Sequence, residues 1–293
     1  MADYLALIAN CLIMGEHYSI VGEQKYLNLI KLSLDKLDIE IEELPDLLTH
    51  NLDDFKGKAK YTTNLFIKNI SSTQFKNAEL IASEIAEVLS LATCSPVRKF
   101  GYDFQGEGSM KPFMGQLQYF RPLIDTHRGD LVRGFLEKTW PAYHRLKNPR
   151  NLNIALQYFV LSQMSGQPME LLLVVSFVLL ENLKHSFALQ QGYPYIGGYF
   201  RPHGATASKL GKAKGFKELL EQMFKQVGMT PALQSIIDLR NEIIHSGISS
   251  LSRSAQTTIY DNCQDIVREY LLRLLGYTGQ YYPYSTPNAP ATI

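Results

Sequence analysis

Covalent and metallic staples are scarce in this chain. Its 293 residues include three cysteines, Cys11, Cys94 and Cys263, odd in number and far apart. No pair has the C-x-x-C spacing of a zinc or redox site, and a scattered odd set gives no disulfide framework, so a reducing compartment, the cytoplasm, is expected. An excess of one charge is missing too: 29 basic residues against 28 acidic ones leave a formal net charge of +1. No global field draws the protein to nucleic acid or to a membrane, and any such role must come from local clusters. Long apolar runs are also absent. The most apolar, Leu171–Leu180, is broken by Ser176 and bounded by Glu170 and Glu181. A membrane span needs about 20 apolar residues, so this run predicts a buried core helix. The run Tyr4–Met14 has no basic cluster before it and no small-residue cleavage pattern after it, which predicts no signal peptide. His17, His50, His127, His144, His185 and His203 show no H-E-x-x-H or related spacing, so neither a metal site nor a cofactor is expected. Gly101–Gly108 (GYDFQGEG) lacks both a Lys-Ser/Thr pair and a following helix, which excludes a phosphate-binding P-loop. No internal repeat is visible.

What is there is enough apolar material, 45% of residues, for one large or two ordinary domains. The pattern is α+β, with a mixed first part and a helical second part. Over residues 1–125, Tyr4–Met14, the period-two stretch Leu37–Glu42, the β-branched and aromatic Tyr61–Ile70 and Val97–Phe104 read as strands. Phe75–Leu91 has helical spacing, and the glycine-containing Gln105–Met110 reads as a loop. A connecting helix over 126–148, best marked at Gly129–Leu146, is expected to kink or split at Pro141. From 149 to 276 only helices are predicted: Leu152–Met164, Pro168–Leu189, Lys209–Val227, Pro231–His245 with Thr230 as its N-cap, and Ser254–Leu275. Residues 277–293 carry no charge and no periodicity and read as an extended or disordered arm.

The chemistry concentrates in the fourth of those five helices, which ends in Arg240-Asn241-Glu242-Ile243-Ile244-His245. At 3.6 residues per turn Ile236, Ile237, Ile243 and Ile244 share a broad apolar face with Arg240 in its middle. A guanidinium there needs a carboxylate, a groove or a partner chain. Glu181, a lone carboxylate on the very apolar second helix, has the same need, so Glu181 and Arg240 are expected to pair across two packed helices. Asn241 and His245 are i and i+4 and stack on an adjacent strip.

RNEIIH fits the R-x(4–6)-H motif of the HEPN superfamily, including the polar residue after the arginine. The helix pair NIALQYFVLSQ and MELLLVVSFVLLENLKHSF, with Glu181, resembles the first two helices of the ApeA-like HEPN branch, and DLRNEIIHSG resembles its motif helix. The resemblance covers roughly Pro149–Gly276. It implies an all-α HEPN bundle and a metal-independent endoribonuclease whose two Arg/His sets meet in one cleft of a homodimer, with a toxin-like role in antiviral defence or stress. Carried over by residue, Arg240 binds the charged phosphorane, His245 is the acid/base on the 2′-hydroxyl or leaving oxygen, Asn241 orients the substrate or the histidine, and Glu181 supports them. The chemistry is sound: imidazole serves as a general acid or base, and guanidinium suits phosphate. One departure is Gly247, where a sister toxin branch has the tyrosine that accepts a nucleotide. Regulation by that route is not expected. The alternative reading is a non-catalytic HEPN module that binds RNA, a nucleotide or a partner protein. In either case the N-terminal domain is left to sense or restrain, through a regulatory protein or effector.

A second feature favours RNA. Between Gly192 and Lys217 there is no acidic residue, while Arg201, Lys209, Lys212, Lys214 and Lys217 are basic and Tyr193, Tyr195, Tyr199 and Phe200 precede or interleave with them. Basic groups track phosphates and rings stack on exposed bases. Arg201, Lys209, Lys212, Lys214 and Tyr199 are therefore the predicted RNA contacts, on a glycine-rich loop.

Overall fold

A computed structural model describes residues 1–48, 58–112 and 121–293. His50 of the sequence reading lies outside them. The chain forms two compact units. Unit 1 is Met1–Pro141 with Tyr277–Tyr282 and Pro287–Thr292; unit 2 is Ala142–Gly276 with Pro283–Thr286 and Ile293. The expected α+β order holds as an N-terminal sheet-bearing region followed by a mostly helical one. The division falls inside the connecting helix rather than at either of its ends.

Unit 1 is built on seven strands: β1 (Ala2–Ala9), β2 (His17–Val21), β3 (Gln24–Leu34), β4 (Leu37–Glu43), β5 (Tyr61–Ile70), β6 (Arg98–Phe104) and β7 (Glu107–Met110). They form one sheet in the order β2-β3-β4-β5-β1-β6-β7, and every pairing is antiparallel. Alternation works as period two demands: Ala6, Leu65 and Ile41 lie side by side on one buried face, and Ile67 and Ile39 continue it. After the short helix α1 (Pro45–Leu48), α2 (Phe75–Thr93) packs on β1, β5 and β6. Its first residue, Phe75, meets Tyr4, Tyr102 and Phe104 ring to ring. The stretch read as a loop at Gln105–Met110 is a turn at Gln105-Gly106, both with positive φ, followed by β7. Strands β2 and β3 escaped the sequence reading, although Ile30, Leu32 and Leu34 of β3 alternate with outward Lys31 and Ser33.

Helix α3 (Gly129–Leu146) contains Pro141 yet is assigned as one continuous helix. It buries Val132, Phe135, Leu136 and Trp140, and the Trp140 indole donates to Asp35 Oδ2 at 2.7 Å. Its first residue sits against the β1–β2 connection: a Cβ on Gly129 would lie 2.5 Å from the Gly15 carbonyl carbon. Gly129→Ala is therefore expected to destabilise unit 1 by about 1–3 kcal/mol through overpacking. Urea unfolding followed by the fluorescence of Trp140, the sole tryptophan, tests this.

The segment 277–293 is extended and held in place. Tyr277 is buried against Phe135, and the Tyr282 N–H donates to Leu123 O at 2.8 Å. Strands β10 (Gln280–Tyr281) and β11 (Ala291–Thr292) pair with each other. In unit 2, Asp265 accepts from the Ser285 N–H at 3.1 Å, and Tyr284 lies edge-on to Tyr260. Four tyrosines give an uncharged arm enough apolar area to dock, which periodicity does not reveal.

Unit 2 holds α4 (Leu152–Leu161), α5 (Met169–Gln190), α6 (Phe216–Gln226), α7 (Gln234–Ser246) and α8 (Arg253–Leu274), with the hairpin β8 (Tyr195–Ile196) and β9 (Tyr199–Phe200). By length and composition α5 is sufficient to cross a membrane, but it packs on α4, α6, α7 and α8, as the core helix the sequence suggested. Two boundaries differ from expectation. Helix α6 starts at Phe216, because Gly211 has φ +64° and residues before it belong to turns. Helix α7 starts at Gln234 with Leu233, not Thr230, as its cap residue, and the connection before it inserts buried Met229 and Leu233 into the core.

Candidate functional site

Helix α7 buries Ile236, Ile237, Leu239 and Ile243. Ile244, expected on the same face, is 47% exposed, so the buried stripe is narrower than four isoleucines suggest. Arg240 sits at its edge, half-buried, and its Nη2 donates to Glu181 Oε1 of α5 at 2.6 Å. The pair expected from two lone charges on apolar helices is thus formed. Arg240 Nη1 donates to Asn241 Oδ1 at 2.9 Å, which fixes both side chains relative to each other.

Two groups join this pair that the sequence reading left aside. Lys184 Nζ lies 2.6 Å from the other Glu181 oxygen, Oε2. The Phe216 ring, first residue of α6, lies under both cations, 4.6 Å from the Arg240 guanidinium carbon and 5.1 Å from Lys184 Nζ. One carboxylate against two cations leaves the cluster net positive, with a π-face adding stabilisation. Lys184 is i+3 from Glu181 and was readable from spacing; Phe216 is brought in by tertiary packing alone. Glu181→Ala should cost about 1 kcal/mol, because both partners remain partly solvated and screened. The loss should shrink at high salt in urea unfolding; a loss unaffected by salt would argue that the contact is packing rather than charge.

His245 is exposed in the last turn of α7, and Gly247, with φ +76°, closes the helix. Among the described residues its side chain has no hydrogen-bonded partner. A second ion pair joins Arg253, the first residue of α8, to Glu170 at the start of α5 at 3.7 Å. The connection that follows α7 therefore ends beside the start of α5. Ile244, next to His245, and Ile248 and Leu251 in that connection are exposed, as are Leu171 and Val178 of α5.

On α5, His185 follows Glu181 by one turn. Its ring meets Tyr195 and Phe200 of the hairpin edge-on, at 5.3 and 5.0 Å. Burial and the Lys184 ammonium hold the His185 imidazolium below the usual histidine range. The predicted RNA contacts divide here. Lys214 is spent locally, 2.5 Å from Glu218 Oε1 and over the Tyr193 ring. Arg201 donates to Gly211 O at 3.0 Å while its guanidinium covers Tyr199 at 5.4 Å. Lys209 and Lys212 are exposed, and Tyr199 is 58% exposed. The glycine-rich segment is not a bare loop: Gly197 and Gly198, both at positive φ, turn the β8–β9 hairpin, and Thr206 bridges to Lys209.

Unit 1 has its own open cavity of about 790 Å³. Its charged lining is largely self-neutralised, with Lys68 on Asp3 and Glu40, and Arg133 on Glu16. Among the described residues no group of three or more His, Cys, Asp or Glu is placed to hold a metal ion. Compared with known proteins, this chain matches no family model, no curated protein and no solved structure.

Proposed function

We propose that unit 2 is an endoribonuclease of HEPN type, working without a metal at a cleft shared by two copies of the chain. The observation that carries this reading is Arg240, held at Nη2 by Glu181 across two helices, on the same helix that presents an exposed His245 with no hydrogen-bonded partner among the described residues. In the proposed reaction the RNA 2′-oxygen attacks phosphorus. The new 2′-O–P bond forms as the 5′-O–P bond breaks, one His245 takes the 2′ proton, and the partner copy's His245 protonates the leaving 5′-oxygen. Arg240 faces the charge that develops on the phosphorane, where a preorganised donor contributes most. Asn241 orients Arg240, and Glu181 supports it. The exposed Ile244, Ile248 and Leu251, which neighbour and follow His245 in the chain, support a second copy seated there, because their burial against a partner would remove apolar surface from water. The sheet-bearing unit senses or restrains the activity by taking an effector or regulatory protein, and the whole acts in the cytoplasm in a toxin-like defence or stress response.

Incubation of the full chain with RNA in a chelator should give fragments ending in 2′,3′-cyclic phosphate. Intact RNA would return unit 2 to the second reading, a non-catalytic module that binds RNA, a nucleotide or a partner protein. The ion pair favours that reading equally, since an Arg–Glu contact also serves a purely structural role.

A further inference from the structure

We infer that the β8–β9 hairpin is a stacking platform for an unpaired nucleobase, so that the ligand of this surface is single-stranded RNA lying along α5 from His245 past Arg240 to Tyr195 and Tyr199. This rests on the ribonuclease reading for the position of the scissile phosphate, and on the hairpin itself for the base.

Four observations lead there. First, the hairpin sorts its rings. Phe200 is buried at 3% exposure and anchors the turn to His185, whereas Tyr195 and Tyr199 remain 53% and 58% exposed. A hairpin that needed aromatic rings only for its own stability would bury them. Second, each exposed ring is stiffened from behind. Tyr195 is held edge-on by His185, and Tyr199 carries the Arg201 guanidinium on one face. A preordered ring loses little entropy on stacking, and the arginine adds a cation to the platform. Third, charge suits a polyanion: no acidic residue occurs from Gly192 to Lys217, and Lys209 and Lys212 stand exposed beyond the hairpin. Fourth, spacing ties platform to site. His185 lies four residues past Glu181 on α5, a rise of roughly 6 Å, so a strand whose phosphate meets Arg240 reaches Tyr195 with a neighbouring base. His245 lies five residues beyond Arg240 on α7, a rise of roughly 7.5 Å. A base inside a duplex has no free face to offer these rings, which selects unpaired RNA.

The test uses the full chain carrying His245→Ala, so that the probe stays intact. Fluorescence anisotropy would follow binding of a labelled short oligouridylate, the same oligomer with abasic ribose units, and a duplex of equal length. Tyr195→Ala and Tyr199→Ala are each expected to weaken oligouridylate binding about tenfold. The corresponding Phe variants should retain it, and the abasic and duplex probes should bind weakly even before substitution. Tyr199→Ala is the cleaner of the two, since Tyr199 touches only Arg201 among the ring contacts described. Unchanged affinity in both Ala variants, equal binding of the abasic oligomer, preference for the duplex, or no binding of oligouridylate would each overturn the inference. If the stacking effects appear but the unsubstituted chain cleaves nothing, the platform stands and the ribonuclease reading falls. If RNA is cleaved and the tyrosine variants bind normally, the reverse holds.

Discussion

Replacing His245 with alanine should lower RNA cleavage by about 10²–10⁴-fold, the usual contribution of a positioned general acid or base. The same change should leave the fold almost untouched. His245 is exposed, has no side-chain partner among the described residues, and sits two residues before the glycine that ends α7. Alanine is a better helix former, and the helix loses only a weak C-terminal charge interaction of about 0.3–1 kcal/mol. This separation of effects makes His245 the decisive position. Arg240 is a poorer choice, because removing it also strips Glu181 of a partner and Phe216 of a cation, and a lost activity there has two explanations. Cleavage by the His245→Ala protein at the wild-type rate, with its helical signal and unfolding midpoint unchanged, would remove the enzymatic reading altogether.

How far the sequence exposed this site depends on the range of each signal. The Arg240–Glu181 pair was legible because two independent local patterns, each a charge on an apolar helix, had the same unmet need and opposite signs. Strand β5 and helix α3 were readable to the residue, since β-branched density and a strong 3.6 period are local properties. Phe216 was not readable as part of the site, because it enters through the α5–α6 packing and not through spacing from Arg240. The start of α6 was misplaced for a related reason: the lysines at Lys209, Lys212 and Lys214 have helical spacing, and only the left-handed Gly211 and the Lys214 N–H bond to Phe200 O show that the chain is still turning. The docked tail escaped because its anchors, Phe135 for Tyr277 and Asp265 for Ser285, lie far away in sequence.

The pH dependence of unit 1 should be dominated near neutrality by Glu43, which no part of the proposed chemistry uses. Glu43 lies on β4 opposite Thr63 and is 4% exposed. It accepts the Ile13 backbone N–H, and among the described residues no lysine or arginine pairs with it, so burial pushes its carboxyl from an ordinary 4.5 to about 8. The neighbouring Cys11 thiol is pushed up to about 12 by its own burial and by the Glu43 charge. Because the folded pKa of Glu43 exceeds the unfolded one, the native state holds the proton more tightly between those two values. Stability from this group is full below about pH 4.5, declines through the window, and is lost once pH passes about 8. The span corresponds to a loss on the order of 5 kcal/mol. Asp3 and Glu40 work in the opposite sense: burial opposes their ionisation, but hydrogen bonds, from the Asn69 backbone N–H to Asp3 and from Lys68 and Lys31, hold both carboxyls below their ordinary values, so their stabilisation is lost as the solution becomes acidic. Glu43→Gln keeps the shape and removes the titration. Its stability curve should run close to wild type at the acid end and rise above it by several kcal/mol on the alkaline side. Trp140, buried in unit 1, reports that unfolding without interference from any second tryptophan. Parallel curves for the two proteins from acid to alkaline pH would show that Glu43 is ionised in the native state and that the sheet tolerates its charge.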